Sequence, residues 1–345
     1  MSRVDELRAR LDERLLVTNL VNIAYLTGFE SSNAALLVDP KSGATLYTDF
    51  RYFEAAEALP DVEPVLAKRS LMADLAHRLK GRLAFEADVL PYAQFETLGS
   101  DGLELVPAHG IVEELRAVKS DDEVERIRHA ARAADFAFQA LLAEAWVGRS
   151  ERELAWRLFQ LMHANGVDRL AFDSIVLGGA NGSLPHGDPS DDLIEDRMLV
   201  TVDWGARLDG YCSDCTRTLA TGELSKELRR LYDVCLEAQV AAVEGIRPGM
   251  TGVEADRLAR DVIEAAGYGE QFGHGLGHGV GVDVHEAPRL SRESTDTLAV
   301  GNVITIEPGI YVPGLGGVRI EDLAVVREDG VEILNSLPKD LAVVG

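Results

Sequence analysis

Cysteine is scarce in this chain: 345 residues contain only Cys212, Cys215 and Cys235. So small a number excludes a disulfide framework. The Cys212-x-x-Cys215 spacing has the form of a zinc knuckle or a redox pair, but a knuckle needs a second ligand pair and none follows at suitable spacing. A thioredoxin-like pair opens a helix after a strand. This one lies inside YCSDCTRTL, which reads as strand with its two thiols on opposite faces. Buried free thiols are expected for this pair. Basic residues are also few, 34 against 58 acidic ones, giving a net charge of −24. Such a charge repels nucleic acid and anionic membranes, and it is read as a solubility feature rather than as the mark of an acidic partner. No apolar run approaches the ~18 residues that cross a bilayer. The opening MSRVDELRARLDERL is charged throughout and lacks an apolar signal core, so a cytoplasmic location is expected. No glycine loop of the phosphate-binding type occurs in the first third.

A chain of this length is long for one core and comfortable for two domains. Up to about Ala117, short apolar runs (ALLVD, ATLYTD, VEPVLA, RLAFEA) alternate with helical segments (RYFEAAEAL, LMADLAHRL, YAQFETL), the grammar of an α/β domain. The boundary is placed near Lys119, giving domains 1–118 and 119–345, because Ser120 and Glu123 form a capping box that opens a long helix. Ser150 with Glu153 caps a second helix, ELAWRLFQLMHA, which Gly166 ends. Strands follow to Thr221. The order then repeats, with a helix from about Ser225 and another capped by Thr251 and Glu254 and ended by Gly267. Two helices and then strands, twice over, predicts a pseudo-two-fold sheet covered by four helices.

Acids recur inside the apolar strand-like runs of the second domain. Asp203 closes VTVD, Asp214 lies in YCSDCTRTLA, Glu307 follows VITI and Glu321 sits in VRIED; His278 lies in a glycine-interrupted stretch. Acids so placed are costly to bury unless they are paired or bind metal. Four carboxylates and one imidazole suffice for two divalent ions and favour manganese, iron, cobalt or zinc over copper. Asp209-Gly210 between apolar runs is a two-residue hairpin signal. Pairing outward from it sets Leu208 opposite Tyr211, Gly205 opposite Asp214, and Asp203 opposite Thr216. Asp203 and Asp214 then share a face as diagonal neighbours roughly 7–8 Å apart. The glycines at 273, 275, 277, 279 and 281 are expected to supply close backbone approach and positive φ around His278. Arg319 and Glu321 are expected on one strand face. Arg319 can hold a carboxylate, of a ligand or of a substrate, or form a structural ion pair; Asp322 faces the other way as a structural residue.

The ordered set of HGLGHGVGVDVHE (His274 to Glu286), LPHG, EPGIY and GVRIED, with NIAYLTGF and YTDFRYFEAA upstream, resembles the pita-bread metallopeptidases. Within them it is similar to the Xaa-Pro peptidases, prolidase and aminopeptidase P, over nearly the whole chain. The resemblance implies an α/β N-terminal domain of the creatinase/prolidase type followed by a pita-bread catalytic domain, α+β with pseudo-two-fold symmetry. It implies metal ligation by Asp203, Asp214, His278, Glu307 and Glu321, with Glu321 bridging two ions and manganese the favoured metal. It also implies catalytic roles for His186, Glu307 and His285, and places His274, Tyr311, Arg319 and Phe172 against the substrate. The implied reaction is two-metal hydrolysis of the X–Pro bond at a peptide's N-terminus, with Glu307 moving a proton to the leaving nitrogen and His186 and His285 stabilising the tetrahedral intermediate. Dipeptidase and aminopeptidase P activities both remain open. A homodimer is implied, in which the loop GFESSNAA (Gly28 to Ala35) either narrows a partner subunit's cleft or is a plain surface turn. The alternative is a non-peptidase member of the fold, a metal-free amidinohydrolase or a binding module. Such members are expected to have lost ligands, whereas all five are present here. Methionine aminopeptidase shares the ligand pattern but lacks a preceding α/β domain of this type.

Overall fold

Three capping boxes found in the sequence open three of the four long helices. Ser120 accepts the Glu123 N–H while the Glu123 carboxylate accepts the Ser120 N–H, starting Asp121–Leu142. The same reciprocal pair, Ser150 with Glu153 and Thr251 with Glu254, starts Glu151–Ala164 and Gly252–Ala265. Each arrangement satisfies end N–H groups that no helical carbonyl can reach. The fourth long helix, Lys226–Gly245, is capped by Ser225. Gly166 and Gly267 follow the ends of the second and fourth helices with φ of 83° and 92°, the left-handed turn that lets the chain leave a helix.

The computed structural model describes residues 2–345, which form two compact units divided between Arg116 and Ala117. The first unit holds a six-stranded mixed sheet ordered Glu63–Leu66, Gly43–Thr48, Ala34–Asp39, Leu15–Val17, Arg82–Glu86, Glu104–Ala108. The four strands and three helices read from the sequence are present. Two strands and three helices were not anticipated: Leu15–Val17 and Glu104–Ala108, and Arg3–Arg8, Leu20–Thr27 and Ile111–Ala117. Leu15–Val17 is three residues long and wholly buried, too short to show a period. Glu104–Ala108 contains Pro107, which a strand tolerates at the edge position this one occupies.

In the second unit each helix pair packs on its own sheet. Asp121–Leu142 and Glu151–Ala164 share a core with Val176, Val200, Val202 and Trp204, and Phe138 stacks on Trp204 at 3.9 Å. Lys226–Gly245 and Gly252–Ala265 share another with Leu276, Ile304, Ile306, Ala324 and Val326. The first sheet orders Cys215–Ala220, Leu199–Trp204, Ile175–Gly178. The second orders Glu286–Leu290, Gly277–Gly279, Val303–Ile306, Asp322–Arg327, Gly330–Ile333.

Two runs expected as single strands are broken. The hairpin turn forms as read, with positive φ at Asp209 (50°) and Gly210 (81°) and with Leu208 opposite Tyr211 and Asp203 opposite Thr216. Its arms, however, change sheets half-way, at Gly205 on one side and Ser213–Asp214 on the other. Gly205 allows the crossing, because a Cβ there would lie 2.2 Å from Ser213 O. Cys212 and Cys215 therefore lie in different sheets, and all three thiols are buried and free. VRIED is likewise split. Gly316–Arg319 pairs with Gly309–Val312, and the chain enters the five-stranded sheet only at Asp322. Arg319 and Glu321 are thus not on one continuous strand face.

Candidate metal centre

The two broken strands put their acids at the breaks. Asp203 is the fifth residue of Leu199–Trp204, and Asp214 sits in the gap before Cys215–Ala220. Glu321 sits in the gap before Asp322–Arg327, its N–H donating to Thr216 O at 3.0 Å. Ligand oxygens of Asp203, Asp214 and Glu321 lie within 4.8 Å of one another. His278, on Gly277–Gly279, brings Nε2 to 3.3 Å from Glu307 and 3.7 Å from Asp214. The five residues picked from the sequence therefore converge from both halves of the unit.

The glycines beside His278 act through close approach alone. A Cβ at Gly277 would lie 2.1 Å from Thr305 O, and one at Gly279 would lie 2.2 Å from Ala287 O. None of the five from 273 to 281 is among the positive-φ glycines, so the left-handed backbone expected there is not used.

Electrostatics follow from crowding acids in a dry place. Burial, and then the charges of Glu321 and Asp203, hold the Asp214 carboxyl well above its usual range. Burial, with Glu307 and Asp203, does the same for Glu321. Asp203 is also raised by burial, against the pull of Arg319. Glu307 goes the other way: burial pushes it up, but hydrogen bonding and charge from His278 outweigh that and bring it to about 2. His278 is raised in return, Glu307 outweighing its own burial.

Whether these residues suit cations is tested by two atoms. Asp203 Oδ1 is buried without a hydrogen-bond partner, although buried carboxylate oxygens are normally satisfied. His278 Nδ1 lies 3.1 Å from Gly279 O; once the ring gives up its Nε2 proton, donation there leaves Nε2 with a lone pair facing the acids, as metal-binding histidines are commonly held. Oxygen-rich donors, one oriented imidazole and an orphaned oxygen fit divalent ions.

Around the acids runs a chain of hydrogen bonds. Arg319 donates through Nη2 to Asp203 Oδ2 (2.6 Å), through Nε to Thr216 Oγ1 (3.1 Å), and through Nη1 to Tyr311 OH (2.9 Å) and Pro185 O (3.2 Å). Tyr311 OH in turn meets His274 Nε2 at 2.9 Å, while His274 Nδ1 meets Gly275 O at 2.8 Å. Accepting from Arg319, the Tyr311 hydroxyl donates to His274. Burial, opposed by Arg319, pushes the Tyr311 phenol up to about 12, and burial lowers His274. The Arg319 fork that the sequence left between ligand and substrate thus lies on a ligand carboxylate. Both His274 nitrogens are engaged within the chain.

His186 is exposed and follows Pro185, whose carbonyl accepts from Arg319. His285 is exposed, its ring 4.4 Å from that of His278. Burial and the His278 charge lower its pKa. Phe172 is half-buried, and a Cβ on Gly205 would come 2.7 Å from its ring. Sequence reasoning missed Thr216, which donates to Glu321 Oε2 at 2.6 Å, and Thr305, which donates to Glu307 Oε1 at 2.9 Å. Their positions were legible, since Thr216 pairs with Asp203 across the hairpin and Thr305 is two residues before Glu307. Arg289, exposed and directly across the ladder from His278, was also passed over.

Behind the cluster lies a buried cation. Arg217 donates through Nη2 to Asp322 Oδ1 (2.7 Å) and through Nη1 to Thr216 O (3.0 Å) and Glu321 O. It also reaches Pro338 O and Leu337 O. Asp322 further accepts from Lys339 and Gln239, the structural role expected of it.

A buried cluster of acids with one oriented histidine, assembled between two halves of similar build, defines a metal-dependent hydrolase. The chain belongs to metallopeptidase family M24, whose model matches residues 125–328, and residues 3–118 match the creatinase/prolidase N-terminal domain. The catalytic unit has the pita-bread fold. An uncharacterized peptidase of Bacillus subtilis is 44% identical, covering 96% of this chain and 95% of that one. An Xaa-Pro dipeptidase from Bacillus anthracis superposes with a TM-score of 0.95 at 40% identity, over 99% of each chain. An X-Pro aminopeptidase from Thermotoga maritima superposes with a TM-score of 0.88 at 34% identity, over 96% of this chain and 97% of that one. No helix among the described residues is long and apolar enough to cross a membrane.

Proposed function

We propose that this chain hydrolyses the X–Pro bond at the N-terminus of short peptides, using two divalent cations. The observation that carries the reading is the convergence of Asp203, Asp214, Glu321, Glu307 and His278 on one buried spot, with Asp203 Oδ1 left unsatisfied. These five side chains would hold the ions, which when bound supply charge to polarise the scissile carbonyl and to acidify a water. Manganese is the ion proposed, on the grounds of the hard donor set and the family.

The chain's own residues do the rest. Glu307, fixed by Thr305, accepts the proton of the attacking water and delivers it to the departing imide nitrogen. That nitrogen is part of the proline ring and needs the proton to leave. His285 and His186, exposed beside the cluster, donate to the developing oxyanion. Arg319, Tyr311 and His274 hold Asp203 in orientation, and these three with Phe172 are the residues proposed to meet the substrate. The division at 118/119 assigns all of this chemistry to the second domain.

The relatives include a dipeptidase and an aminopeptidase by name, and the reading covers both. The experiment is turnover of an X-Pro dipeptide and an X-Pro-Y tripeptide by protein stripped of metal and then given manganese, cobalt, zinc or iron(II). The ratio of the two rates sorts dipeptidase from aminopeptidase. Full activity after exhaustive chelation would overturn the two-cation reading, and cleavage of neither substrate would overturn the X–Pro reading. We further propose a homodimer, to be checked by sedimentation velocity.

A further inference from the structure

His285 is carried on the loop between Gly277–Gly279 and Glu286–Leu290, and that loop is wrapped around one carboxylate. Glu286 Oε1 accepts the Asp283 N–H at 2.9 Å. A Cβ on Gly281 would lie 2.5 Å from Glu286 Oε2, so the carboxylate rests directly on glycine backbone. Gly281 itself is tied down, its N–H donating to Asp283 O (3.0 Å) and its carbonyl accepting from Cys212 N–H (2.7 Å).

The other side of the carboxylate meets a cation from far away in the sequence. Lys119 Nζ donates to Glu286 Oε2 at 3.1 Å, and the two side chains are only 2% and 3% exposed. Lys119 has little freedom. Its backbone N–H donates to Gly301 O at 2.9 Å, its Nζ also reaches Ala117 O at 3.4 Å, and the next residue caps the helix Asp121–Leu142. A buried ion pair is a poor source of stability, since apolar residues of like volume often serve as well or better. It does fix geometry. The Glu286 carboxylate is held between Lys119 and the Asp283 N–H, and the residue before Glu286 is His285, whose ring lies 4.4 Å from that of His278.

We propose that Lys119 is a positioning residue for His285, acting through Glu286. The proposal rests on the catalytic role given to His285 above. A double-mutant cycle on X–Pro turnover tests it, with Lys119→Met, His285→Ala and the two combined. Lys119→Met is expected to lower kcat about 10²-fold, the scale of a misplaced catalytic group, with KM and bound metal little changed. In the His285→Ala background it should cost nothing further. Effects that multiply, or wild-type turnover in Lys119→Met, overturn the proposal; wild-type turnover in His285→Ala overturns it together with the role of His285. Glu286→Gln, which keeps the shape but removes the charge, runs the same cycle if Lys119→Met does not fold. A second readout needs no turnover. The His285 imidazole resonances, assigned by their loss in His285→Ala, should move in Lys119→Met while those of the exposed His77 and His109 stay. Unmoved His285 resonances overturn the positioning, whereas moved resonances in a protein that cleaves no X–Pro bond overturn only the substrate reading.

Discussion

Arg319 binds one oxygen of Asp203 and leaves the other presented: Nη2 lies 2.6 Å from Oδ2, while the buried Oδ1 has no hydrogen-bond partner. A hydrogen bond to one oxygen restricts the rotation of the carboxylate and leaves its second oxygen free to take a cation. Arg319→Ala should therefore lower metal affinity as well as turnover, by about 10–100-fold, the usual effect of losing a group that orients a ligand. Metal affinity that stays at the wild-type value, measured by competition with a chromogenic chelator, would show that the guanidinium does not orient the site.

Removing a single charge should silence the enzyme without unfolding it. Glu307→Gln and Asp214→Asn each preserve volume, and each is expected to abolish X–Pro turnover while circular dichroism stays native. His186→Ala should lose roughly 10²–10⁴-fold in rate with metal content unchanged. A metal-free His186→Ala protein would place His186 among the ligands instead.

The metal-free protein should lose stability as pH rises. Asp214 and Glu321 have folded pKa values raised by burial and then by their acidic neighbours, above the 3.8 and 4.5 usual for these side chains. The folded state therefore binds their protons more tightly than the unfolded state does. Their contribution is present below about pH 4 and is lost as pH climbs through the raised values, a tenfold gain in proton affinity being worth about 1.4 kcal/mol. Glu307, lowered to about 2, works the opposite way and loses its contribution only as pH falls from about 4.5 towards 2. In chelator at pH 7, Asp214→Asn should melt above the wild type and show a flatter dependence of Tm on pH. Equal melting temperatures would contradict the repulsion described here.

Arg217→Met should be severe for a different reason. It removes a cation that holds Asp322, two carbonyls beside the site and two near the C-terminus, leaving Asp322 buried with less compensation. A loss of about 3–5 kcal/mol is expected, the range for breaking a buried ion pair. Urea unfolding of the metal-free form measures it, and a loss below about 1 kcal/mol would put this pair with surface ion pairs.

Much of this was readable in the sequence where one local rule determined the outcome. Asp209-Gly210 demanded a tight turn, and the turn set the pairing of Asp203 with Thr216. Ser120, Ser150 and Thr251 announced helix starts because each has an acid three residues on. The breaks at Ser213–Asp214 and Ile320–Glu321 were not readable. Apolar alternation tells which face a residue takes but not where a strand leaves one sheet for another. Only the packing of Gly205 on Ser213 O shows why the first break falls where it does. The glycines around His278 stand out in the sequence for two properties, and the fold uses only close approach. Lys119 stands out only as a boundary marker, since nothing local links it to Glu286, 167 residues away.

The split of the catalytic unit into two separate cores has a last consequence. Asp203 rides on a strand, and Asp214 sits just before one, packed by Phe138 and Trp204, whereas His278 rides on a strand, and Glu307 follows one, packed by Leu276 and Ile304. The distance across the cluster is therefore set by how both cores are filled, and the site behaves as a strain gauge for the whole unit. A loss of one or two carbons deep in either core, such as Ile304→Val or Val202→Ala, will register as altered cation affinity at a place it never touches.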